Sequence, residues 1–151
     1  MLAYGSAALI IIIIDQITKI LISSSFSATT ELVFIPGIIN LVYLQNTGAA
    51  FSMFSEHVNI LGIVSVLFCI GVIIYALKAK PSHKLQCTAL TLIFAGALGN
   101  AIDRIFRGYV IDFIETAFIK FPVFNIADIA ITIGAALLVL YVIFFDRDSK
   151  K

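Results

Sequence analysis

The chain has 151 residues, 61% of them hydrophobic and 13% charged, with a formal net charge of +1 and a mean hydropathy of +1.09. Soluble domains carry about 25% charged residues, so a cytosolic globular enzyme, a disordered chain and a basic nucleic-acid binder are excluded. One membrane-embedded domain over residues 1–151 remains.

A spanning helix needs about 20 mostly apolar residues, and four stretches qualify: Leu2 to about Ile22, Val58 to Leu77, Leu85 to about Ile102, and about Phe124 to Phe145. In lipid only a helix or a closed barrel satisfies the backbone, and these runs are too long and too uniformly apolar for barrel strands. The first span is expected to be retained rather than cleaved as a signal peptide. No Lys or Arg precedes its apolar run, and Asp15 and Lys19 stand where a cleavage site would fall.

Leu32–Ile35 and Ile38–Leu44 follow the first span and are apolar and β-prone, divided by Pro36 and Gly37. They predict a small sheet or hairpin lying at the lipid surface. The Lys78–Lys84 connection, with Pro81, reads as a plain turn. After the third span, Val110, Phe113, Ile114, Ala117 and Phe118 fit i, i+3, i+4, i+7, i+8. That stripe predicts a short interfacial helix. Cys69 and Cys87 lie in apolar spans without partners at ligand spacing and read as buried small hydrophobes.

Four spans put both termini on one side. Lys78, Lys80, Lys84, Arg147, Lys150 and Lys151 lie on that side, against Lys19, Arg104, Arg107 and Lys120 on the other. The bias predicts cytoplasmic termini. Seven of the nine acids (Asp15, Glu31, Glu56, Asp103, Asp112, Glu115 and Asp128) lie toward the outer side, which places any chemistry there.

Ionisable residues in membrane segments are functional candidates by default. Asp15 and Lys19 are i, i+4 with the acid first, either a structural pair at the helix end or a pair orienting a neighbouring site. Asn46, Thr47, Gly48, Ala49, Ala50, Phe51 and Ser52 read as a tight turn or as the wall of a substrate groove. Gly96, Asn100, Asp103 and Arg104 share a helical face, where small residues let another helix approach. Asp103 and Arg104 form a helix-end ion pair, or Arg104 holds a substrate carbonyl or lipid ester oxygen. Asn125 and Asp128 suit a helix cap and its third position. Yet the hairpin of the last two spans also brings Asp103, Asp112 and Asp128 to one level.

Other chemistries find little support. Glu56 and His57 are isolated, the two histidines lie toward opposite sides, and no Gly-rich phosphate loop precedes a Lys and a Ser or Thr. A serine hydrolase would have only His57 as its base. Aspartate pairs remain. Two nearby carboxylates in a dry site share a proton. One then takes a proton from water while the other donates to a carbonyl, which hydrolyses an amide without a covalent intermediate.

Five blocks occur in order: DQITK at 15–19, NTGAAFS at 46–52, GALGNAIDR at 96–104, GYVIDF at 108–113 and FNIADIAI at 124–131. Together they resemble the signature blocks of the bacterial lipoprotein signal peptidases, or signal peptidase II. The resemblance implies an all-α inner-membrane protein with four transmembrane helices, a small periplasmic β-cradle and a short interfacial helix. It implies an aspartyl endopeptidase, without cofactor or metal, that cleaves diacylglyceryl-modified prolipoproteins just before the lipidated cysteine. Its catalytic aspartates map onto Asp112 and Asp128, and the acid at Asp103 is structural. Spacing alone does not separate Asp103 from Asp112. Asn46, Asn100, Arg104 and Asn125 match polar residues lining the family's site, with Gly48 in the second block and Asp15 and Lys19 in the first. Ile129 stands where Ser or Thr is more usual.

The partners so implied are a lipid-modified prolipoprotein, membrane lipid and the cyclic peptide globomycin; the near-neutral charge predicts no nucleic-acid partner, and the chain is expected to be a monomer. Asp128, in a first helical turn, suits a carboxylate, so Asp112 is expected to hold the shared proton. Two rivals stand. A small ion- or proton-coupled transporter needs acids spread through the membrane depth. A structural subunit predicts silent Asp→Asn changes at 112 and 128.

Overall fold

Seven elements follow one another in the computed structural model, which describes residues 2–48 and 58–145. They are α1 (Leu2–Ser25), β1 (Glu31–Ile35), β2 (Ile39–Asn46), α2 (Val58–Ala79), α3 (Lys84–Phe106), β3 (Val110–Thr116) and α4 (Ile126–Phe144). Ala49–Ser52 of the second block, Glu56, His57, Arg147, Lys150 and Lys151 lie outside the described residues. The four helices are long and apolar enough to cross a membrane. Their outer faces carry an apolar belt, with Ile13 and Ile17 on α1, Leu67 on α2 and Val142 on α4 each at least 45% exposed. Lipid rather than water must cover such a belt, which accounts for the opening composition.

α3 is the most buried helix and packs against the other three. Its small residues make that possible. A Cβ on Gly96 would collide with the Ala127 carbonyl, and one on Gly134 of α4 would stand 2.8 Å from the Ala89 carbonyl. Backbone atoms cannot yield, so glycine at both places lets α3 and α4 touch along their length. Cys69 is buried. Cys87 is only half-buried and turns its thiol toward the Pro81 carbonyl at 3.3 Å.

The predicted hairpin is present, turning through Pro36 and Gly37, whose φ of +72° suits a residue without a side chain. It carries a third strand that the sequence reading did not supply. The sheet order is β1-β2-β3, antiparallel throughout. The segment expected to be a short interfacial helix, Val110–Phe118, is therefore corrected to strand β3 followed by a turn. Its backbone pairs with β2, and Ile114 also bridges Phe124. Ile111 and Phe113 face a cluster with Ile22 of α1, while Val110 and Asp112 face a cavity on the other side. Burial on both faces removes the apolar–polar alternation that marks a half-buried strand. The remaining apolar positions happened to fit helical spacing.

Candidate active site

Three joints bring the polar residues together. Gly108, at φ +74°, turns the chain out of α3 into β3. A bulge in β2 between Leu41 and Leu44 sets the register that places Asn46 opposite Val110. Asn46 is thereby diagonal to Asp112 on the same sheet face, within side-chain reach. Before α4, the Phe124 backbone exchanges hydrogen bonds with Ile114. This fixes the next residue, Asn125, beside Asp112.

Asp112 and Asp128 line one cavity of about 520 Å³, together with Asn46, Asn100 and Arg104. A larger cavity of about 630 Å³, between Asn40 and Pro122, holds neither carboxylate. Asp112 is 2% exposed. Its Oδ2 accepts from Asn46 Nδ2 at 2.8 Å and its Oδ1 from Asn125 Nδ2 at 2.7 Å. Gly48 contributes through Asn46: its N–H donates to Asn46 Oδ1 at 2.9 Å, which turns the amide nitrogen toward Asp112. Burial pushes Asp112 up to about 6. The Asn46 and Asn125 donors and the Lys19 charge oppose the rise, and the Asp128 carboxylate adds to it.

Asp128 accepts from Asn100 Nδ2 at 2.7 Å and from the Asn125 main-chain N–H at 3.2 Å. The Asn125 side chain in turn accepts from Asp128 N at 2.9 Å, closing a capping box. The capping reading of Asn125 and Asp128 is thus borne out. Asn125 and Asp128 together start the helix, and Asp128 also lines the cavity.

Asp103 does not pair with Arg104, its neighbour in sequence, because adjacent helical residues point apart. It is fully buried and forms ion pairs with Lys19 at 2.9 Å and with Arg107. Lys19, also fully buried, reaches Asp15 at 2.9 Å and Asn100 Oδ1 at 2.9 Å. Removing one member of such a buried pair leaves a charge uncompensated, at about 3–5 kcal/mol. Gln16 and Arg107 belong to this cluster too. Gln16 Nε2 donates to Asp15, to Asp103 and to the Gly99 carbonyl. The sequence reading places Gln16 in the first block and gives Arg107 no site role, although Arg107 is i, i+4 from Asp103, a spacing that could have found it. Arg104 instead lines the cavity and donates from Nη2 to the Gly48 carbonyl at 3.4 Å.

Comparison with other proteins bears on the chain as a whole. The family described as Signal peptidase (SPase) II matches residues 7–144. The chain belongs to the signal peptidase II family. A lipoprotein signal peptidase of Lactobacillus johnsonii is 40% identical over 144 residues, covering 95% of this chain and 94% of that protein. One from Fusobacterium nucleatum is 40% identical, covering 94% and 87%. A solved structure of a bacterial membrane enzyme superposes with a TM-score of 0.92 at 33% identity, covering all of this chain and 93% of the other. With its four apolar helices, this signal peptidase II relative is a multi-pass membrane protein. Membership gives the transporter alternative no support.

Proposed function

We propose that the chain is an aspartic endopeptidase that removes the signal peptide from diacylglyceryl-modified prolipoproteins just before the lipidated cysteine. The observation that carries this reading is the pair Asp112 and Asp128, lining one cavity and tied to each other through Asn125. In this scheme Asp112 carries the proton and Asp128 is the base. Asp128 takes a proton from a water molecule, the water oxygen attacks the scissile carbonyl, and Asp112 donates to the carbonyl oxygen. The proton gained by Asp128 then passes to the leaving amine as the C–N bond breaks, and a hydroxyl proton of the tetrahedral intermediate returns to Asp112. The amide donors keep both carboxylates facing the cavity throughout.

Arg104, with its guanidinium on the cavity wall, holds a substrate carbonyl or lipid ester oxygen. The cavity also has an apolar wall, including Phe121, Val123 and Ile133, which suits a substrate delivered from lipid. The acids gather at one end of the bundle, matching a scissile bond near the outer leaflet of the inner membrane. In this placement the chain works as a single domain and a monomer, with cytoplasmic termini, and binds globomycin in the same cavity.

The test is incubation of the purified protein with a prolipoprotein, with and without its diacylglyceryl group, followed by a gel shift. The lipid-modified precursor is expected to be cut and the unmodified one spared. Equal cleavage of both, or of neither, would contradict the substrate assignment.

A further inference from the structure

We propose that Lys19 is a positioning residue that sets the spacing of the two aspartates through the main chain, using Asp15 and Asp103 as its arms. The proposal rests on Asp112 and Asp128 being the reacting groups.

An ammonium has three donors. Those of Lys19 meet Asp15 Oδ2, Asp103 Oδ2 and Asn100 Oδ1, each at 2.9 Å. Each of the two carboxylates then grips a backbone N–H. Asp15 Oδ1 accepts from Ala127 N at 3.0 Å, and Ala127 immediately precedes Asp128. Asp103 Oδ2 accepts from Ile111 N at 3.3 Å, and Ile111 immediately precedes Asp112. The third contact holds the Asn100 oxygen toward Lys19, which leaves its Nδ2 aimed at Asp128. One buried nitrogen thus ties α1 and α3 to the backbone just before both acids.

Lys19, Asp15 and Asp103 do not line the cavity, so they act on substrate through what they hold, with the Lys19 charge also felt at Asp112. The charges of Lys19 and Arg107 balance those of Asp15 and Asp103. A purely stabilising cluster would look similar, but it would not need to end on the two residues that precede the acids. Gly99 shows how closely the arm is fitted. A Cβ there would stand 2.7 Å from Asp15 Oδ2.

The experiment compares kcat, KM and thermal midpoint for the wild type, Asp112→Asn, Lys19→Met, the charge-balanced pair Lys19→Met with Asp15→Leu, and Gly99→Ala. Misplacing reacting groups by about 1 Å costs on the order of 100-fold in rate. Lys19→Met is expected to lose about that factor in kcat, with KM changed less than about threefold. The double variant is expected to regain the midpoint lost in the single one, because no buried charge is left unpaired, and to stay about 100-fold slow. Recovery of kcat along with stability would overturn the proposal. Gly99→Ala keeps every charge and decides the matter if Lys19→Met does not fold. It is expected to lower kcat about tenfold at unchanged KM, and a wild-type kcat there would overturn the proposal. Turnover by Asp112→Asn would instead remove the dyad reading beneath it. An inactive Asp112→Asn beside a fully active Gly99→Ala removes only the positioning role.

Discussion

The side-chain amide of Asn125 stands 2.7 Å from Asp112 Oδ1. The main-chain N–H of the same residue donates to Asp128, and its side-chain oxygen caps α4. Asn125 therefore does two separable jobs: it starts a helix and it joins the two carboxylates. Serine also caps helices well but has no amide to reach Asp112. Because the buried amide also donates to Asn100 Oδ1 and the Ile111 carbonyl, Asn125→Ser is expected to cost about 1–3 kcal/mol of stability and to lower kcat in the folded protein by about 100-fold. Thermal unfolding and cleavage rate measured on one preparation check this. A wild-type kcat in the folded variant would mean that Asn125 is a cap and nothing more.

The pH dependence follows from Asp112. Its carboxyl is raised to about 6, first of all by burial, and the proposed chemistry needs it protonated. The protonated fraction is full well below pH 6 and falls about tenfold per unit well above it. In the free enzyme kcat/KM is therefore expected to fall with rising pH on a limb whose midpoint is near 6. The proton belongs to the coupled pair, so the midpoint is read as a property of both acids. A kcat/KM that rises through pH 6, followed in detergent at constant ionic strength, would assign the proton elsewhere.

Arg104 supplies a different kind of contact. It faces the cavity from α3 and touches the Gly48 carbonyl, and it takes no part in the Lys19 cluster. Lysine keeps the charge but loses the planar fork that grips oxygens in pairs. Arg104→Lys is expected to raise KM for the lipid-modified precursor about tenfold, with kcat reduced less, since a charge-assisted hydrogen bond contributes about 1.5–3 kcal/mol. Initial rates over a range of substrate concentrations separate the two. A change in kcat alone would place Arg104 in the chemical step.

The helix-packing glycines make a paired prediction. Gly96 meets Ala127 and Ile131 close to Asp128, whereas Gly134 meets Ala89 and Ile93 further along the bundle. Overpacking of this kind costs about 1–3 kcal/mol. Both Gly→Ala changes are expected to lower the thermal midpoint. Gly96→Ala should also depress kcat at a temperature where it remains folded, because it displaces the start of α4. Gly134→Ala should cleave normally at that temperature. Equal activity of the two would show that the close approach near Ala127 does not bear on the site.

How far the sequence could be read depended on the physics of each element. The four spans were legible because lipid demands about 20 apolar residues and a satisfied backbone. The β1–β2 hairpin was legible because Pro36 and Gly37 interrupt a β-prone run. β3 was not, since a strand buried on both faces shows no alternation, and its Asp112 reads as an isolated acid until the backbone pairing places it. The Asn125–Asp128 capping box was visible as a cap. Its bond to Asp112 was not, because it depends on Phe124 pairing with Ile114. Asp103 could not be told from Asp112 by spacing, yet the fold separates them plainly. Asp103 is closed off by Lys19 and Arg107, while Asp112 opens onto the cavity.

Cleavage is proposed to need Asp112 and Asp128 together. The most direct measurement is the gel shift of a diacylglyceryl-modified prolipoprotein by Asp112→Asn and Asp128→Asn, each first shown to be folded by its thermal transition. Loss of general acid–base catalysis is worth at least about 100-fold, so no detectable product is expected from either variant while the wild type runs to completion. Robust turnover by either folded variant would contradict it.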